Sequence, residues 1–357
     1  MIFIYGSIIL FAVCCLRRTS GTAAILSKDQ TTTINGLFIL LVFVGHALRY
    51  LFDMGLMTGL DSRMTHTLEY VLGQEKVVPF LFFSGYGVGE SIKARGEAYV
   101  KEMPFRRCLN TLLNFDVAVL CFIAIATIIG GGGIDMRKSF LALLGWESYG
   151  NSNWYIFVIV GCYAMTAVAF TFFRKMSALL FLFIEMVALS IILANAGRYW
   201  FDTLFAYFFG IAFSSVRGRI SGWLQKNKIK VLTLSVVGWL GVFALRSVGF
   251  RVGVLTFPGA LDCCVYNLLS IFFVLGMVAF LHILTLRSRL LHWCGANLFP
   301  LYIYQRLPMI VLVYFFSDQL CRYPVAFVIA SFILTLPFVW LFQFVRFDLS
   351  SHRFGLV

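Results

Sequence analysis

Apolar runs about 20 residues long follow one another along almost the whole chain, separated by short charged or glycine-bearing stretches. As a helix, a run of that length crosses the roughly 30 Å hydrocarbon core of a bilayer. Composition agrees. Of 357 residues, 61% are hydrophobic and 13% charged, against roughly 45–50% and about 25% in a soluble domain. A soluble fold of this length could not cover so much apolar surface. The chain therefore reads as an all-α, polytopic transmembrane helix bundle.

Eleven spans are expected, at about 1–16, 34–52, 71–92, 108–130, 153–173, 177–195, 199–216, 230–249, 262–286, 296–316 and 323–346. The first is read as a short retained helix. A signal peptide carries its positive charge ahead of the apolar stretch, whereas Arg17 and Arg18 follow it here. With the segment after this helix in the cytoplasm, the alternating turns place 19 of the 29 Lys and Arg on the cytoplasmic side and 8 outside, with Lys76 and Arg306 within spans. That excess predicts an outside N-terminus and a cytoplasmic C-terminus. It also accounts for the net charge of +13 without nucleic acid as a partner. The expected division is an extra helix and linker at 1–33, a membrane domain at 34–347 and a short cytoplasmic tail at 348–357. The longest loop, about 131–152, is expected to be a flexible outer loop. The nine cysteines contain no Cys-x-x-Cys pair, so neither a disulfide framework nor a metal site is expected.

Chemistry in such a chain must come from the few polar groups inside the spans. His46 ends three helical turns of apolar side chains that begin after Asn35. The two are 11 residues apart, about 16 Å along a helix. Asn35 then lies near the cytoplasmic end of the second span and His46 in its outer half. An imidazole titrates near neutrality and can take a proton from a hydroxyl. Lys76 and Arg306 are the intramembrane cations of most interest. Glu75, Asp116, Glu185, Asp202, Arg246 and His282 also need partners. Arg106 and Arg107, at the cytoplasmic end of the fourth span, suit a phosphate-bearing ligand as well as ordinary anchoring at the interface. Ser84 and Gly85 suit close helix packing, and Tyr86 beside them is a candidate for a pocket lining.

Five blocks carry a resemblance to a known family. They are Ile34-Asn35-Gly36 through Gly45-His46, Val78 to Gly87 with its Ser84-Gly85-Tyr86, the basic stretch Lys101–Arg107, Asn153-Trp154-Tyr155, and Gly295 to Tyr304. In this order they resemble the membrane acyltransferase 3 family, O-acetyltransferase-like integral membrane enzymes that acylate sugars and other hydroxyl compounds. The resemblance covers roughly residues 30–346. It implies a ten-helix core, with the first helix as an addition, in the plasma or inner membrane. It implies His46 as the catalytic general base and acetyl-CoA as the acyl donor, held by Asn35, Arg106 and Arg107. Lys76, Ser84, Tyr86, Trp154, Tyr302 and Arg306 would then meet the substrate. The acceptor would be a sugar hydroxyl of a surface polysaccharide or of its lipid-linked precursor. Membrane lipid and glycan-biosynthesis proteins would be the partners. Two positions depart from the pattern: Asn35 stands where the family has a basic residue, and Gln305 where many relatives have histidine. The alternative is a secondary transporter or flippase of glycan precursors. That would call for paired, broken helices in matching halves, which the sequence does not display.

Overall fold

A computed structural model describes residues 2–19, 26–57, 59–131, 133–196, 200–256, 259–320 and 323–349. The expected tail lies outside the described residues from 350 onward, as do Arg198, Arg322 and Arg353 of the charge tally. The chain begins with α1 (Ile2–Cys14) and a short strand β1 (Leu16–Arg18). Then come α2 (Lys28–Asp53), α3 (Gly59–Leu72), a 3-10 turn at Gly73–Lys76, α4 (Val78–Arg95) and α5 (Glu97–Met103). A π-helical turn at Pro104–Leu109 leads into α6 (Asn110–Gly130), followed by α7 (Met136–Leu143), α8 (Trp154–Phe172) and α9 (Lys175–Asn195). The rest is α10 (Phe205–Arg251), α11 (Ala260–Leu281), β2 (Leu284–Leu286), α12 (Arg289–Ala296), α13 (Leu298–Tyr304), α14 (Arg306–Leu320) and α15 (Pro324–Val345). The protein is an all-α helical bundle. Among the described residues, eight helices are long and apolar enough to cross a membrane.

Three expectations are corrected. The first helix has 13 residues, about 20 Å of rise, which falls short of the hydrocarbon core. Instead of continuing, the chain turns into β1, which pairs antiparallel with β2, Leu16 opposite Leu286. The predicted span 71–92 is broken at its start. Gly73 takes a left-handed φ of +43°, a Cβ there would run into the Tyr266 hydroxyl, and Pro79 sits in the first turn of α4. The predicted span 296–316 is found as the candidate span Leu298–Gln319, with a turn at Gln305 where α13 gives way to α14. Pro300 and Pro308, each three residues on from Asn297 and Gln305, have no N–H to return to the carbonyls of Ala296 and Tyr304. The stretch 131–152, expected to be a flexible outer loop, contains α7, and its end is built in. Asn151, Ser152 and Asn153 are buried, and Asn153 Nδ2 donates to the Gly145 carbonyl at 2.8 Å.

The spans 199–216 and 230–249 merge into one hydrogen-bonded helix of 47 residues. It cannot be straight. Phe205 N–H donates to Asn267 Oδ1, while Arg246 grips Asp262. Residues 205 and 246 thus meet α11 within two turns of each other, whereas a straight helix would hold them on the order of 60 Å apart. The reversal lies in the charged stretch around Gly218 and Gly222, since Lys228 Nζ reaches the carbonyl of His282 at the far end of α11. Glycines with a neighbouring serine are a recognised cause of such sharp bends. The turn therefore falls where the charge pattern puts it, without a loss of helix.

Other contacts tie the basic turns to the same face. Arg174 pairs with Glu97, Lys93 donates to the Ser214 carbonyl, and β1 pairs with β2. The opposite face gathers the contacts Ile2–Asp61, Gln74–Tyr266 and Arg246–Asp262.

Candidate functional site

The second helix begins with a capping box. The Ser27 hydroxyl accepts from Gln30 N–H, and the Gln30 side chain accepts from Ser27 N–H. Eighteen residues on from its first, Lys28, comes His46. Its Nδ1 is buried without a hydrogen-bond partner among the described residues, although the residue as a whole is only half-buried. Three groups act on the ring: the Gln305 side chain and the charges of Arg306 and Lys76. Gln305 is fully buried. Its Nε2 donates to the Tyr302 carbonyl at 3.0 Å, while its Oε1 has no partner. Gln305 keeps helical φ/ψ between α13 and α14, and Arg306 follows it as the first residue of α14.

From His46 a row of polar aromatic side chains leads towards the basic face. The Tyr302 ring lies 6.3 Å from the imidazole, and the Tyr155 ring 5.2 Å from that of Tyr302. Ser84 lies beside both Tyr155 and Tyr163. The Arg107 guanidinium lies 5.8 Å from the Tyr163 ring, and its Nε donates to the Tyr99 hydroxyl at 3.1 Å. Tyr155 and Tyr163 are two turns apart on one helix, so they share a side of α8.

Local structure explains why these groups meet. Helix α4 packs its small residues on α10: a Cβ on Gly85 would collide with the Tyr207 carbonyl, and one on Gly89 would stand 2.8 Å from Ser214 Oγ. That contact leaves the Ser84 side turned to α8. The π-helical turn at Pro104–Leu109 divides the two arginines. Arg107 is directed inward to Tyr99 and Tyr163, whereas Arg106 pairs with Glu102 at 3.3 Å at the surface. Such one-turn π segments recur at functional sites.

The other sequence candidates are placed as follows. Lys76 is buried and ion-paired with Glu69 at 2.7 Å, beside Gly45. The Tyr5 hydroxyl donates to the same carboxylate. Arg306 donates from Nε to the Tyr50 hydroxyl at 3.2 Å and lies over that ring, with no carboxylate partner among the described residues. Tyr86 is turned to α10, where Arg217 donates to its hydroxyl. It stands apart from the row. Trp154 meets Tyr155 edge-on at 6.1 Å. Asn35 is half-buried with an unpartnered Oδ1, and 11 residues before His46 it shares that residue's side of α2. Tyr99 and Tyr163 were not singled out in the sequence, and Tyr155 only as part of the Asn153-Trp154-Tyr155 block. The spacing of eight between Tyr155 and Tyr163 was the available signal.

A family model described as an acyltransferase domain matches residues 34–344. The chain belongs to the acyltransferase 3 family. No curated protein and no solved structure matches it. In this acyltransferase 3 chain the matched region begins one residue before Asn35 and runs through α15, so it contains the whole row from His46 to Arg107. α1 and β1 lie before it. Family and helices together make this acyltransferase a multi-pass membrane protein.

Proposed function

We propose that this acyltransferase moves an acyl group, most simply acetyl, from acetyl-CoA at the basic face to a sugar hydroxyl of a surface polysaccharide or its lipid-linked precursor. The observation that carries the reading is the row His46, Tyr302, Tyr155, Ser84, Tyr163, Arg107, which joins a cation at the basic face to an imidazole deep in the bundle. Arg107 suits a phosphate of the donor, since a guanidinium binds phosphate through two parallel N–H bonds. Asn35 supplies hydrogen bonds in place of charge.

In the reaction the acceptor oxygen attacks the thioester carbonyl carbon. A C–O bond forms and the C–S bond breaks. His46 takes the hydroxyl proton and returns it to the leaving thiolate. Gln305 Oε1 accepts from Nδ1–H once the two close the remaining gap, which leaves Nε2 as the base. Arg306, tied to a tyrosine rather than a carboxylate, is free to meet the oxyanion or the acceptor.

The test is transfer of radiolabel from acetyl-CoA to membrane glycan. His46→Ala at matched membrane levels is expected to lose about 10²-fold or more. Undiminished labelling would refute the role of His46. Gln305→Ala should lower the rate and shift its pH profile, whereas a purely structural Gln305 would leave the profile in place.

A further inference from the structure

On the basic face, away from the His46–Arg107 row, the ends of α4 and α8 and the starts of α5 and α9 enclose a cavity of about 670 Å³ against α10. Its floor is apolar, with Phe170, Phe173, Leu179 and Ile211. Its rim is cationic, with Lys93, Arg174, Lys175 and Arg219 against a single carboxylate, Glu97. Two of these cations are already engaged. Lys93 binds Glu90 and the Ser214 carbonyl, and Arg174 pairs with Glu97 at 2.6 Å. Lys175 and Arg219 are exposed and make no ion pair among the described residues. Lys175 is one of two non-glycine residues with a left-handed φ among the described residues, at +52°. It opens α9, whose first turn has no side-chain cap. The uncapped amides add a partial positive charge to the same rim.

We infer that this cavity binds an anionic glycerophospholipid of the surrounding bilayer. Its phosphate would sit between Lys175 and Arg219, with acyl chain over Phe170, Leu179 and Ile211. Charge complementarity selects the occupant: two uncompensated cations stand above an apolar floor, where helices with lipid-facing surfaces end. Basic pockets between transmembrane helices at this level take anionic headgroups, each nearby cation favouring binding. The inference does not depend on the acyl-transfer reading.

Native mass spectrometry of the delipidated, full-length protein in detergent tests it. Phosphatidylglycerol and phosphatidylcholine with matched chains are supplied at equal concentration. The wild type should retain phosphatidylglycerol on the order of tenfold more, and Lys175→Gln with Arg219→Gln should abolish that preference. Arg287→Gln with Arg289→Gln, elsewhere on the basic face, should keep it. If the first double variant does not fold, Arg219→Glu alone must reduce the preference. Equal retention of the two lipids by the wild type would overturn the inference. So would an unchanged preference in the rim variants, or complete displacement of phosphatidylglycerol by a long-chain acyl-CoA at equal concentration.

Discussion

Helices α2 and α12 touch backbone to backbone through Gly36 and Gly295, and this contact sets where Asn35 stands. A Cβ on Gly36 would lie 2.6 Å from the Leu291 carbonyl carbon and 2.9 Å from Gly295 N. A Cβ on Gly295 would lie 2.7 Å from the Thr32 carbonyl carbon and 2.9 Å from Gly36 N. Ordinary contact begins at 3.4 Å, and each methyl would overlap the facing carbonyl oxygen, of Leu291 or Thr32, more closely still, so either one must push the helices apart by well over an ångström. The obstructing atoms are main chain and cannot rotate away. Overpacking costs about 1–3 kcal/mol, and the rigid obstruction puts each site near the upper figure. Replacing glycine by alanine within a helix returns about 1 kcal/mol. The net expectation is a loss of about 2 kcal/mol for Gly36→Ala.

Both methyls ask for the same separation. The double variant Gly36→Ala with Gly295→Ala should therefore cost well under the sum of the single variants. Gly6, with nothing within 4 Å of its added Cβ, is the control, and Gly6→Ala should stabilise by up to about 1 kcal/mol. Reversible denaturant unfolding in detergent reads all four proteins. The reasoning is refuted if Gly36→Ala stabilises as Gly6→Ala does, or if the two single losses simply add.

Three further outcomes follow from the geometry. Arg246 and Asp262 form a buried two-bond pair at 2.6 and 3.0 Å, so Asp262→Ala should destabilise by about 3–5 kcal/mol, with a far smaller additional loss when Arg246→Met is combined with it. Arg107→Ala should weaken acetyl-CoA binding, measured by calorimetry in detergent, at least about tenfold more than Arg106→Ala, because Arg106 is spent on a surface pair with Glu102. Equal effects would count against an inward donor contact. Tyr207→Phe removes the hydroxyl that meets Thr166 Oγ1 at 3.0 Å and should cost about 1 kcal/mol in the same unfolding assay, with Thr166→Val combined with it adding little.

The architecture was largely legible because lipid imposes a plain rule: helices about 20 residues long and apolar, with positive charge kept to one side. The α10 reversal shows how far that rule reaches. Lys226, Lys228 and Lys230 mark a turn between two spans even where the backbone stays helical through it. The break at Gly73–Lys76 and the turn at Gln305 were less legible. Glycine and proline are tolerated inside membrane helices when neighbours satisfy the freed backbone groups, so Gly73, Pro79, Pro300 and Pro308 did not announce interruptions by themselves. The same difficulty hid the strand pairing of Leu16–Arg18 with Leu284–Leu286, two three-residue segments more than 260 positions apart.

For the site, the sequence alone determined that a histidine stands deep in an apolar helix with two arginines beneath it at the basic face. A costly polar group in hydrocarbon is conspicuous whatever surrounds it. Only the tertiary structure decided which side chains lie between them. Tyr155 and Tyr163 carry no charge and look like ordinary lining of apolar helices, and nothing in the sequence tells that Ser84 stands beside them. They form a row because the glycine faces of α4 and α10 close on each other and turn Ser84 to α8. The choice between Arg106 and Arg107 likewise rests on how their π-helical turn is rotated in the bundle, with one guanidinium inward on Tyr99 and its neighbour paired with Glu102 at the surface. Burial cost is written residue by residue along the chain, but helix rotation is a property of packed pairs.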